Sequence, residues 1–378
     1  MLIPDHRGLK DTSIPSWNPG TPGKAGNGAH ERTHLAHFVS EITGMLWGGE
    51  WHAVPWLERA QIMWNIGRRT RDQGLIVALG THFWAANVAL ARFAGAGRLE
   101  PCAASLIADV SCGRKVAAFA MTEENGGSNT TGITTTIDGA AGKGVIGSKR
   151  YISNVGVAAA GLVFAVERSP GAEKSISCHL VDLSDPSVTI LPYSPPRALV
   201  SCPLADVAFT GTPSLAQVGQ FGQGQFIFNV AMEFERTYMF AGLLGVADSL
   251  LCDAATELAC ARSRNPGLDG FAGGPTELAD LTARSMACWE LVSSVAAGHD
   301  NRQREYYRAS AVKNLVSGLL LGSASLLARL RGARGATEPT SWQHLLDGHA
   351  SATFSGTTEV QNMIIARGMG IIKSGGGA

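Results

Sequence analysis

Apolar positions recur at helical spacing in the first third of the chain, at i, i+3, i+4, i+7 and i+11. The positions are Leu35, Phe38, Val39, Ile42 and Leu46. Side chains at this spacing share one face of a helix, so the pattern predicts a helix with one buried face. A second apolar, alanine-rich run from about Leu75 to Phe93 also predicts a helix, with Phe83 and Trp84 in the core rather than against a ligand.

The pattern changes near Val116 to short runs of β-branched and apolar residues that turn residues separate. The runs include GLVFAVE, SISCHLVDL, VTILPY and LADVAFTG, and they continue to Val218. Such runs are typical of a small antiparallel barrel or sandwich. The strict alternation of strand and helix that marks a parallel dinucleotide-binding sheet is missing.

Long helical patterns return after this region. One helix of roughly 30 residues is predicted from Ala231 to about Arg262. A single apolar stripe on a later helix is predicted at Val312, Leu315, Val316, Leu319 and Leu320. The order α, then β, then α predicts an α+β fold. The predicted segments are a flexible N-terminal arm (1–30), an N-terminal helical domain (31–115), a β-domain (116–218) and a C-terminal helical bundle (219–378).

Composition excludes several classes of protein. The 378 residues are 45% hydrophobic and 16% charged with a formal net charge of zero, so nothing favours a nucleic-acid partner. The seven scattered cysteines lack a CxxC pair, which predicts reduced, buried thiols in a cytoplasmic protein. The N-terminus lacks the apolar region of a secretory signal, and we find no run of about 18 apolar residues that would predict a membrane span. The histidines lack ligand spacing, so no metal site is expected.

The segment with the clearest chemistry runs from Phe119 to Asn154 and reads FAMTEENGGSNTTGITTTIDGAAGKGVIGSKRYISN. A strand ends there in a polar, glycine-rich loop, and a hairpin follows. Thr122, Gly127 and Ser128 offer hydroxyls and accessible backbone N–H groups, which suit a phosphate or a ring carbonyl. From the spacing alone, an ordinary hairpin loop explains the segment equally well.

The whole string resembles the flavin-binding segment of acyl-CoA dehydrogenases, whose pattern is roughly A-x-T-E-x-x-x-G-S-D and then G-x-K-x-W-I-T-N. The matching residues are Thr122, Glu123, Gly127, Ser128, Gly147, Lys149, Ile152 and Asn154. Tyr151 and Ser153 replace the usual Trp and Thr and keep an aromatic ring and a hydroxyl, whereas Asn129 replaces an Asp and removes a charge. The resemblance covers nearly all of the chain after the arm. It implies an N-terminal α-helical domain, a central small antiparallel β-domain and a C-terminal helical bundle.

The resemblance implies FAD as the cofactor and assigns its contacts. In this chain the implied contacts are Phe119, Met121, Thr122, Gly127, Ser128, Tyr151 and Ser153. In the family a partner subunit reaches the flavin through an arginine and a glycine-rich loop, so a homo-oligomer, a tetramer built as a dimer of dimers, is implied. The matching residues here are Gly332 and Gly335 of RGARG and either Arg262 or Arg264, although lone arginines in such loops are surface charges at least as often. Thr357 and Glu359 match a further FAD motif, but a simple helix cap at Thr357 explains them equally well.

In most of the family the catalytic base is the glutamate of a Y-E-G-T motif in the last helix. This chain departs from that pattern. Here the motif reads Phe354-Ser355-Gly356-Thr357, and a serine without a partner histidine is too weak a base. Some relatives place the base in an L-E-R pattern on the first long C-terminal helix, which Glu235 matches here. The resemblance thus implies Glu235 as base, with the Ser355 backbone N–H and a flavin ribityl hydroxyl at the thioester carbonyl. The alternative is that Glu235 is an exposed helical charge beside Glu233.

The function that the resemblance implies is FAD-dependent α,β-dehydrogenation of an acyl thioester, carried on CoA or on an acyl carrier protein. Electrons would leave through an electron-transfer flavoprotein or an equivalent acceptor. The departures from the family motifs indicate a divergent member from secondary metabolism. Two alternatives stay open, a flavin-dependent monooxygenase that hydroxylates nitrogen or sulfur on the same fold and a catalytically silent homologue.

Overall fold

The structure, a computed structural model, describes residues 14–17, 28–47, 54–95, 99–125, 127–130, 132–138, 144–167, 175–192, 197–264 and 274–372. Of residues 28–33, 192, 262 and 264 it describes the backbone alone. Most of the predicted arm and the last six residues, 373–378, lie outside this part of the chain.

The region before the strands is helical, as predicted. Its α-helices are α1 (Gly28–Trp47), α2 (Trp56–Thr70), α3 (Gln73–Leu79), α4 (Val88–Phe93) and α5 (Pro101–Ser111). A π-helical segment, Gly80–Asn87, joins α3 to α4 and makes one continuous helical rod. The five apolar positions predicted to share a face of α1 are all buried, and Phe83 and Trp84 are 0% exposed. The core predicted for this region is therefore confirmed.

The strands of the described chain form one mixed sheet in the order β6-β7-β3-β2-β4-β5-β8, with β1 paired to β4. They are β1 (Ala117–Ala120), β2 (Thr136–Asp138), β3 (Gly144–Ser153), β4 (Ala160–Glu167), β5 (Ser175–Asp182), β6 (Val188–Pro192), β7 (Leu204–Pro213) and β8 (Ala216–Val218). The other strand pairs are antiparallel, as expected for this domain, but both β1 and β2 run parallel to β4, so the sheet is mixed.

The parallel pairing explains why the glycine-rich segment forms a protruding loop. β1 pairs with the first half of β4, from Ala117 with Ala160, and β2 pairs with its last residues, from Thr136 with Val166. Because both strands follow the same neighbour in the same direction, residues 121–135 must leave the sheet after β1 and return further along β4. The motif therefore connects two strands in the middle of the sheet, beside β4.

The C-terminal region is a helical bundle. Its helices are α6 (Gly224–Phe234), α7 (Phe240–Arg264), α8 (Gly274–Asp300), α9 (Tyr306–Leu330), α10 (Ala333–Thr337), α11 (Pro339–Ala350) and α12 (Thr358–Gly368). A second π-helical segment, Glu235–Met239, joins α6 to α7, so the helix predicted to begin at Ala231 begins one and a half to two turns earlier. In the stripe predicted on α9, Leu315 is 52% exposed and does not join the other four residues in the core. The stripe is therefore narrower than predicted.

Three helices are long and apolar enough to cross a membrane by length and composition, contrary to the expectation from the sequence. They are Gln73–Phe93, Gly224–Ala261 and Tyr306–Leu330. In the most apolar 18-residue segment of each helix, 94%, 72% and 56% of the residues, respectively, are buried inside the protein. Packing against the sheet and against one another accounts for their composition, because helices that are buried on most sides need apolar residues around the whole circumference.

The cysteines are free thiols, but burial is not general. Cys178, Cys202 and Cys288 are buried, whereas Cys102, Cys112 and Cys260 are exposed. The prediction of buried thiols was thus wrong for the exposed three. Burial raises the pKa of the Cys202 thiol to about 12, although hydrogen bonds at Ser153 and Asn154 oppose the rise, so that thiol is held protonated.

Candidate active site

A cavity of about 370 Å³ lies where the motif loop of the sheet meets α6 and the turn before α12. Ten of the residues that the sequence assigned to the site line it: Phe119, Met121, Thr122, Gly127, Ser128, Tyr151, Ser153, Glu235, Ser355 and Thr357. Segments more than 200 residues apart in the chain, at Met121 and Ser355, thus meet at one site.

A buried ion pair anchors the loop that forms one wall of this cavity. Lys149 Nζ on β3 donates to Glu123 Oε1 at 2.8 Å and to the carbonyl of Met121 at 3.1 Å. The second oxygen of Glu123 accepts from the backbone and side chain of Thr134, at 2.6 and 2.7 Å, and Thr135 N donates to Oε1 at 3.0 Å. The carboxylate therefore closes the loop between β1 and β2 and fixes Met121 and Thr122 at the cavity.

The pKa values of the two groups in this pair are shifted for different reasons. Burial disfavours ionisation of Glu123, but the hydrogen bonds from Lys149, Thr134 and Thr135 outweigh it and hold the pKa at about 2. Burial lowers the pKa of Lys149 to about 8, with Glu123 opposing the shift. Both groups are engaged and hidden, Lys149 at 0% and Glu123 at 6% exposure, so their role is to hold the loop.

Gly127 and Ser128 leave the loop open to a ligand. A Cβ atom at Gly127 would lie 3.1 Å from Thr122 Oγ1, so a larger residue would crowd the Thr122 hydroxyl. Both residues are exposed at the cavity. The loop therefore presents one hydroxyl from Thr122, one from Ser128 and an unhindered stretch of backbone.

Tyr151 lies at an irregularity in β3, where the register against β7 shifts between Lys149 and Ile152. Its φ is 55°, a left-handed conformation that a bulky residue rarely adopts, and its N–H donates to Asp206 Oδ1 at 3.0 Å. The ring is 57% exposed. Tyr151 and Ser153 both line the cavity, and side chains two residues apart on a strand share one face. At Tyr151 this position also carries a strained backbone.

Glu235 begins the π-helical segment between α6 and α7 and faces the cavity from the opposite wall. Its side chain is 7% exposed, so the alternative of an exposed helical charge is excluded. Burial raises the pKa of Glu235 to about 7, while Arg236 and the Ser355 hydroxyl oppose the rise. The Ser355 hydroxyl does not reach the geometry of a regular hydrogen bond in the described structure. A carboxyl with this pKa exchanges protons near neutrality.

The neighbouring Glu233 is equally buried but fully engaged. Its Oε1 accepts from His299 Nε2 at 3.2 Å and from the backbone N–H of Glu305 at 2.6 Å, and its Oε2 accepts from Arg304 Nε at 2.8 Å. Burial again opposes ionisation, but these donors lower the pKa of Glu233. Glu233 therefore ties α6 to the turn before α9 and is not available for chemistry in the cavity.

Ser355 has a φ of 55° in the turn between α11 and α12. Its carbonyl accepts from Arg236 Nε and from Gln361 Nε2, each at 3.0 Å, and these bonds fix the turn. Within the described residues its backbone N–H has no acceptor. The N–H is thus an unpaired donor in a turn that lines the cavity together with Glu235, and Ser355 is the residue predicted to donate to a thioester carbonyl.

A second, larger cleft of about 550 Å³ adjoins the first and shares Gly127, Ser128, Phe228 and Gly356 with it. Arg236, Arg367, Tyr306 and Tyr307 are among the side chains that line it. The Arg236 Nη1 atom is buried and has no hydrogen-bond partner among the described residues. Two arginines and two phenols along a passage to Glu235 suit an elongated ligand that carries oxygen atoms.

The remaining predicted residues do not line the cavity. Glu359 is exposed on α12, whereas its neighbour Thr357 lines the cavity and also caps the helix by accepting from Val360 N at 3.4 Å. Gly332 and Gly335 lie between α9 and α11, and a Cβ at Gly335 would lie 1.9 Å from the carbonyl of Ala328, so helix packing explains that glycine. The side chains of residues 262 and 264 lie outside the described part of the chain.

Five residues that line the cavity were not singled out from the sequence, Val77, Thr81, Phe228, Met232 and Thr353. Thr81 is the one with a sequence signal, because it is a hydroxyl residue within an otherwise apolar helical run and lies in the first π-helical segment. No group of three or more His, Cys, Asp or Glu side chains that could hold a metal is found in the described residues.

Comparison with known proteins gives concordant matches over most of the chain. Residues 118–212 match the family described as "Acyl-CoA dehydrogenase, middle domain", and residues 222–370 match "Acyl-CoA dehydrogenase, C-terminal domain". A relative from Serratia sp. (strain ATCC 39006), "L-prolyl-[peptidyl-carrier protein] dehydrogenase", is 26% identical over 320 residues, 83% of this chain and 82% of its own. An "Acyl-CoA dehydrogenase" from Bacillus subtilis (strain 168) is 26% identical over 266 residues, 69% of this chain and 70% of its own. The solved "FAD complex of PigA" has a similar fold, with a TM-score of 0.79 at 22% identity, covering 91% of this chain and 93% of that one.

Proposed function

The chain belongs to the acyl-CoA dehydrogenase family and is an FAD-dependent oxidoreductase, and from this premise we propose that Glu235 is the base with which it dehydrogenates an acyl thioester. The single observation that carries the proposal is the buried carboxyl of Glu235 at the cavity, with its pKa raised to about 7. General bases work best when their pKa lies near the operating pH.

The residues at the cavity fit FAD. Gly127 leaves a space beside Thr122 that a Cβ atom would fill, and Ser128 adds a second hydroxyl at the same wall. Phe119, Met121 and Tyr151 supply apolar and aromatic surface for a flat ring. FAD, when bound, supplies the acceptor for the hydride that leaves the β-carbon of the acyl group.

Residues on the wall of the cavity that carries Glu235 and Ser355 would carry out the remaining steps. The Glu235 carboxylate removes the α-proton of the thioester, and the electron pair of that C–H bond forms the α,β double bond as the hydride leaves. The free N–H of Ser355 donates to the thioester carbonyl, which stabilises negative charge on the oxygen and acidifies the α-carbon. Arg236 and Gln361 act through Ser355, since their hydrogen bonds to its carbonyl hold the left-handed turn.

The larger cleft supplies a path for the thioester tail. It joins the cavity at Gly127 and Gly356 and runs past the unpartnered Arg236 Nη1 atom to Arg367. Both CoA and a carrier protein present an acyl group on a phosphopantetheine arm, which the polar and aromatic lining suits. We assign the carrier-protein form, because the Serratia relative named for a peptidyl-carrier-protein substrate matches 83% of this chain and the Bacillus acyl-CoA relative matches 69%.

The proposal includes the partners and setting expected from the sequence. We propose a homotetramer, and the exposed apolar side chains of Leu315, Trp342 and Leu346 on the C-terminal bundle, each 42–52% exposed, support burial against other subunits. We also propose that an electron-transfer flavoprotein or an equivalent acceptor reoxidises the enzyme. We further propose that the protein is cytoplasmic and acts in secondary metabolism.

The test is anaerobic mixing of wild type and Glu235→Gln with a panel of acyl thioesters on pantetheine and on a carrier protein. Removal of the base is expected to slow flavin bleaching by at least about 10³-fold while thioester binding survives, a loss in the range that mutation of a general base produces. Glu233→Gln is the control, because it changes an equally buried glutamate on the same helix and is expected to keep the bleaching rate. Undiminished bleaching in Glu235→Gln would overturn the assignment.

A further inference from the structure

A basic and partly aromatic surface borders the larger cleft on the side of α6 and the turn before α9. We call it the rim, and it consists of Arg92, Phe226, Arg302 and Arg304. None of these residues is among those that line either cavity. All are exposed, Phe226 at 49%, which is unusual for a phenylalanine.

Contacts join Arg92, Phe226 and Arg304 into one surface, and Arg302 lies two residues before Arg304 in the turn before α9. The Arg304 guanidinium carbon lies 5.7 Å from the centre of the Phe226 ring, and the Phe226 ring meets Phe93, the residue after Arg92, with centres 5.8 Å apart. Burial lowers the pKa of Arg92; the charge of Glu233 opposes the shift and that of Arg304 adds to it, which places the two cations near each other and near Glu233. The residue before Phe226, Gln225, lines the cleft, as does Tyr306, two residues after Arg304. The rim therefore borders the cleft mouth.

The three arginines of the rim outnumber the two carboxylates near them, Glu233 and the exposed Asp300. The acids next to Arg304 are Glu233 and Glu305, whose side chains are 1% and 7% exposed; Glu233 pairs with Arg304 and Glu305 pairs with Arg308. Arg304 keeps 49% of its side chain exposed although its Nε bonds Glu233. Arg302 has no ion-pair partner in the part of the chain that the structure describes. Arg367 and Tyr307 extend the basic and aromatic character across the cleft.

We propose that the rim is the docking surface for a carrier protein whose surface is acidic around the attachment point of its phosphopantetheine arm. The proposal rests on the function proposed above, since only a carrier-bound substrate has a protein body that stays outside while its arm fills the cleft. An exposed aromatic ring among arginines that outnumber the nearby carboxylates matches such a partner, because transient interfaces combine aromatic anchors with complementary charge. The charge would chiefly speed association and would be screened by salt.

The experiment measures two quantities for wild type, Arg302→Glu and Arg304→Gln in the FAD-loaded enzyme. The first is the Kd for an acidic peptidyl carrier protein that bears an unacylated phosphopantetheine arm. The second is kcat/KM for the same acyl group on that carrier and on free pantetheine. Arg302→Glu reverses one rim charge and breaks no ion pair among the described residues. Arg304→Gln removes the cation that contacts Phe226.

Arg284→Glu is the matched control. Arg284 is exposed and lies on α8 about 24 Å from the helix end at Asp300, given a rise of 1.5 Å for each of 16 residues. We expect each rim variant to weaken carrier binding and to lower kcat/KM for the carrier substrate at least tenfold at low salt. The pantetheine substrate and the Arg284→Glu control are expected to be unaffected. Carrier binding by wild type is also expected to fall as salt rises.

Carrier binding that survives both rim variants overturns the docking surface. An equal loss with carrier and pantetheine substrates also overturns it, because the residues would then act on the fold or the cleft. The binding measurement needs no turnover, so it separates this proposal from the proposed function. Absence of any flavin bleaching by wild type with intact carrier binding would contradict the function alone.

Discussion

Two glutamates, one on each wall of the cavity, show how this fold assigns opposite roles to the same side chain. Glu123 in the motif loop and Glu235 at the end of α6 are similarly hidden from solvent, at 6% and 7% exposure, although Glu235 lies deeper in the protein. The pKa of Glu123 is held at about 2, whereas that of Glu235 is raised to about 7. The difference lies in the depth of burial and in the hydrogen-bond donors that surround each carboxylate.

Glu123 accepts from Thr134, Thr135 and Lys149, and each donor favours the ionised form. Glu235 has Arg236 beside it in the chain, but Arg236 Nε donates to the carbonyl of Ser355 instead. A buried carboxylate with a full set of donors is fixed in one protonation state and serves the structure. A buried carboxyl without them can gain or lose a proton near neutrality, which is what a base requires.

The largest expected effect follows from removal of the cation that compensates Glu123. Lys149→Met is expected to lower the free energy of unfolding by about 3–5 kcal/mol, because it leaves a buried carboxylate unpaired. Chemical denaturation with FAD content as a second readout measures the loss. Lys115→Met is the control, since its pair with Asp109 is solvent-exposed and should contribute less than about 1 kcal/mol. Equal stabilities of the two variants would show that the buried pair does not anchor the loop.

Glu235→Gln is expected to stabilise the folded protein at alkaline pH. The folded-state pKa of about 7 lies above the ordinary value of 4.5, so the native state binds more protons than the unfolded state between these values. Stability of the wild type therefore falls as pH rises through that window, by up to about 3 kcal/mol, and the neutral glutamine avoids this loss. Thermal unfolding of both proteins at several pH values checks it. A stability difference that does not grow with pH would contradict the raised pKa.

The smallest expected effect is on the pH dependence of the reaction itself. Only the ionised form of Glu235 can accept a proton, so the rate of flavin bleaching should rise about tenfold per pH unit below pH 7 and level off above it. Single-turnover mixing with a pantetheine thioester gives this rate without contributions from product release or carrier docking. A rate that is flat from about pH 5.5 to 8 would assign the base to a group with a different pKa.

Local patterns were enough to predict much of the fold and of one wall of the site. The glycine-rich segment from Thr122 to Ser128 and the residues from Lys149 to Asn154 lie close in sequence and meet through one hairpin. The buried face of α1 follows from helical spacing alone. The parallel pairing of β1 and β2 with β4 did not follow, because strand direction depends on partners some 30–40 residues away that alternation of residues does not identify.

The sequence by itself determined which chemical groups this protein can bring to a flavin: the hydroxyls and glycines of the motif loop, a serine at the usual place of the base, and a glutamate at Glu235. Only the tertiary structure decided that Glu235 is buried at the cavity while Glu233, two residues earlier, is tied to His299 and Arg304. The L-E-R pattern singles out Glu235, but it does not say which of the two carboxyls is left without hydrogen-bond donors. Their difference arises because proton affinity depends on the donors and solvent around a carboxyl, and folding brings those from distant segments.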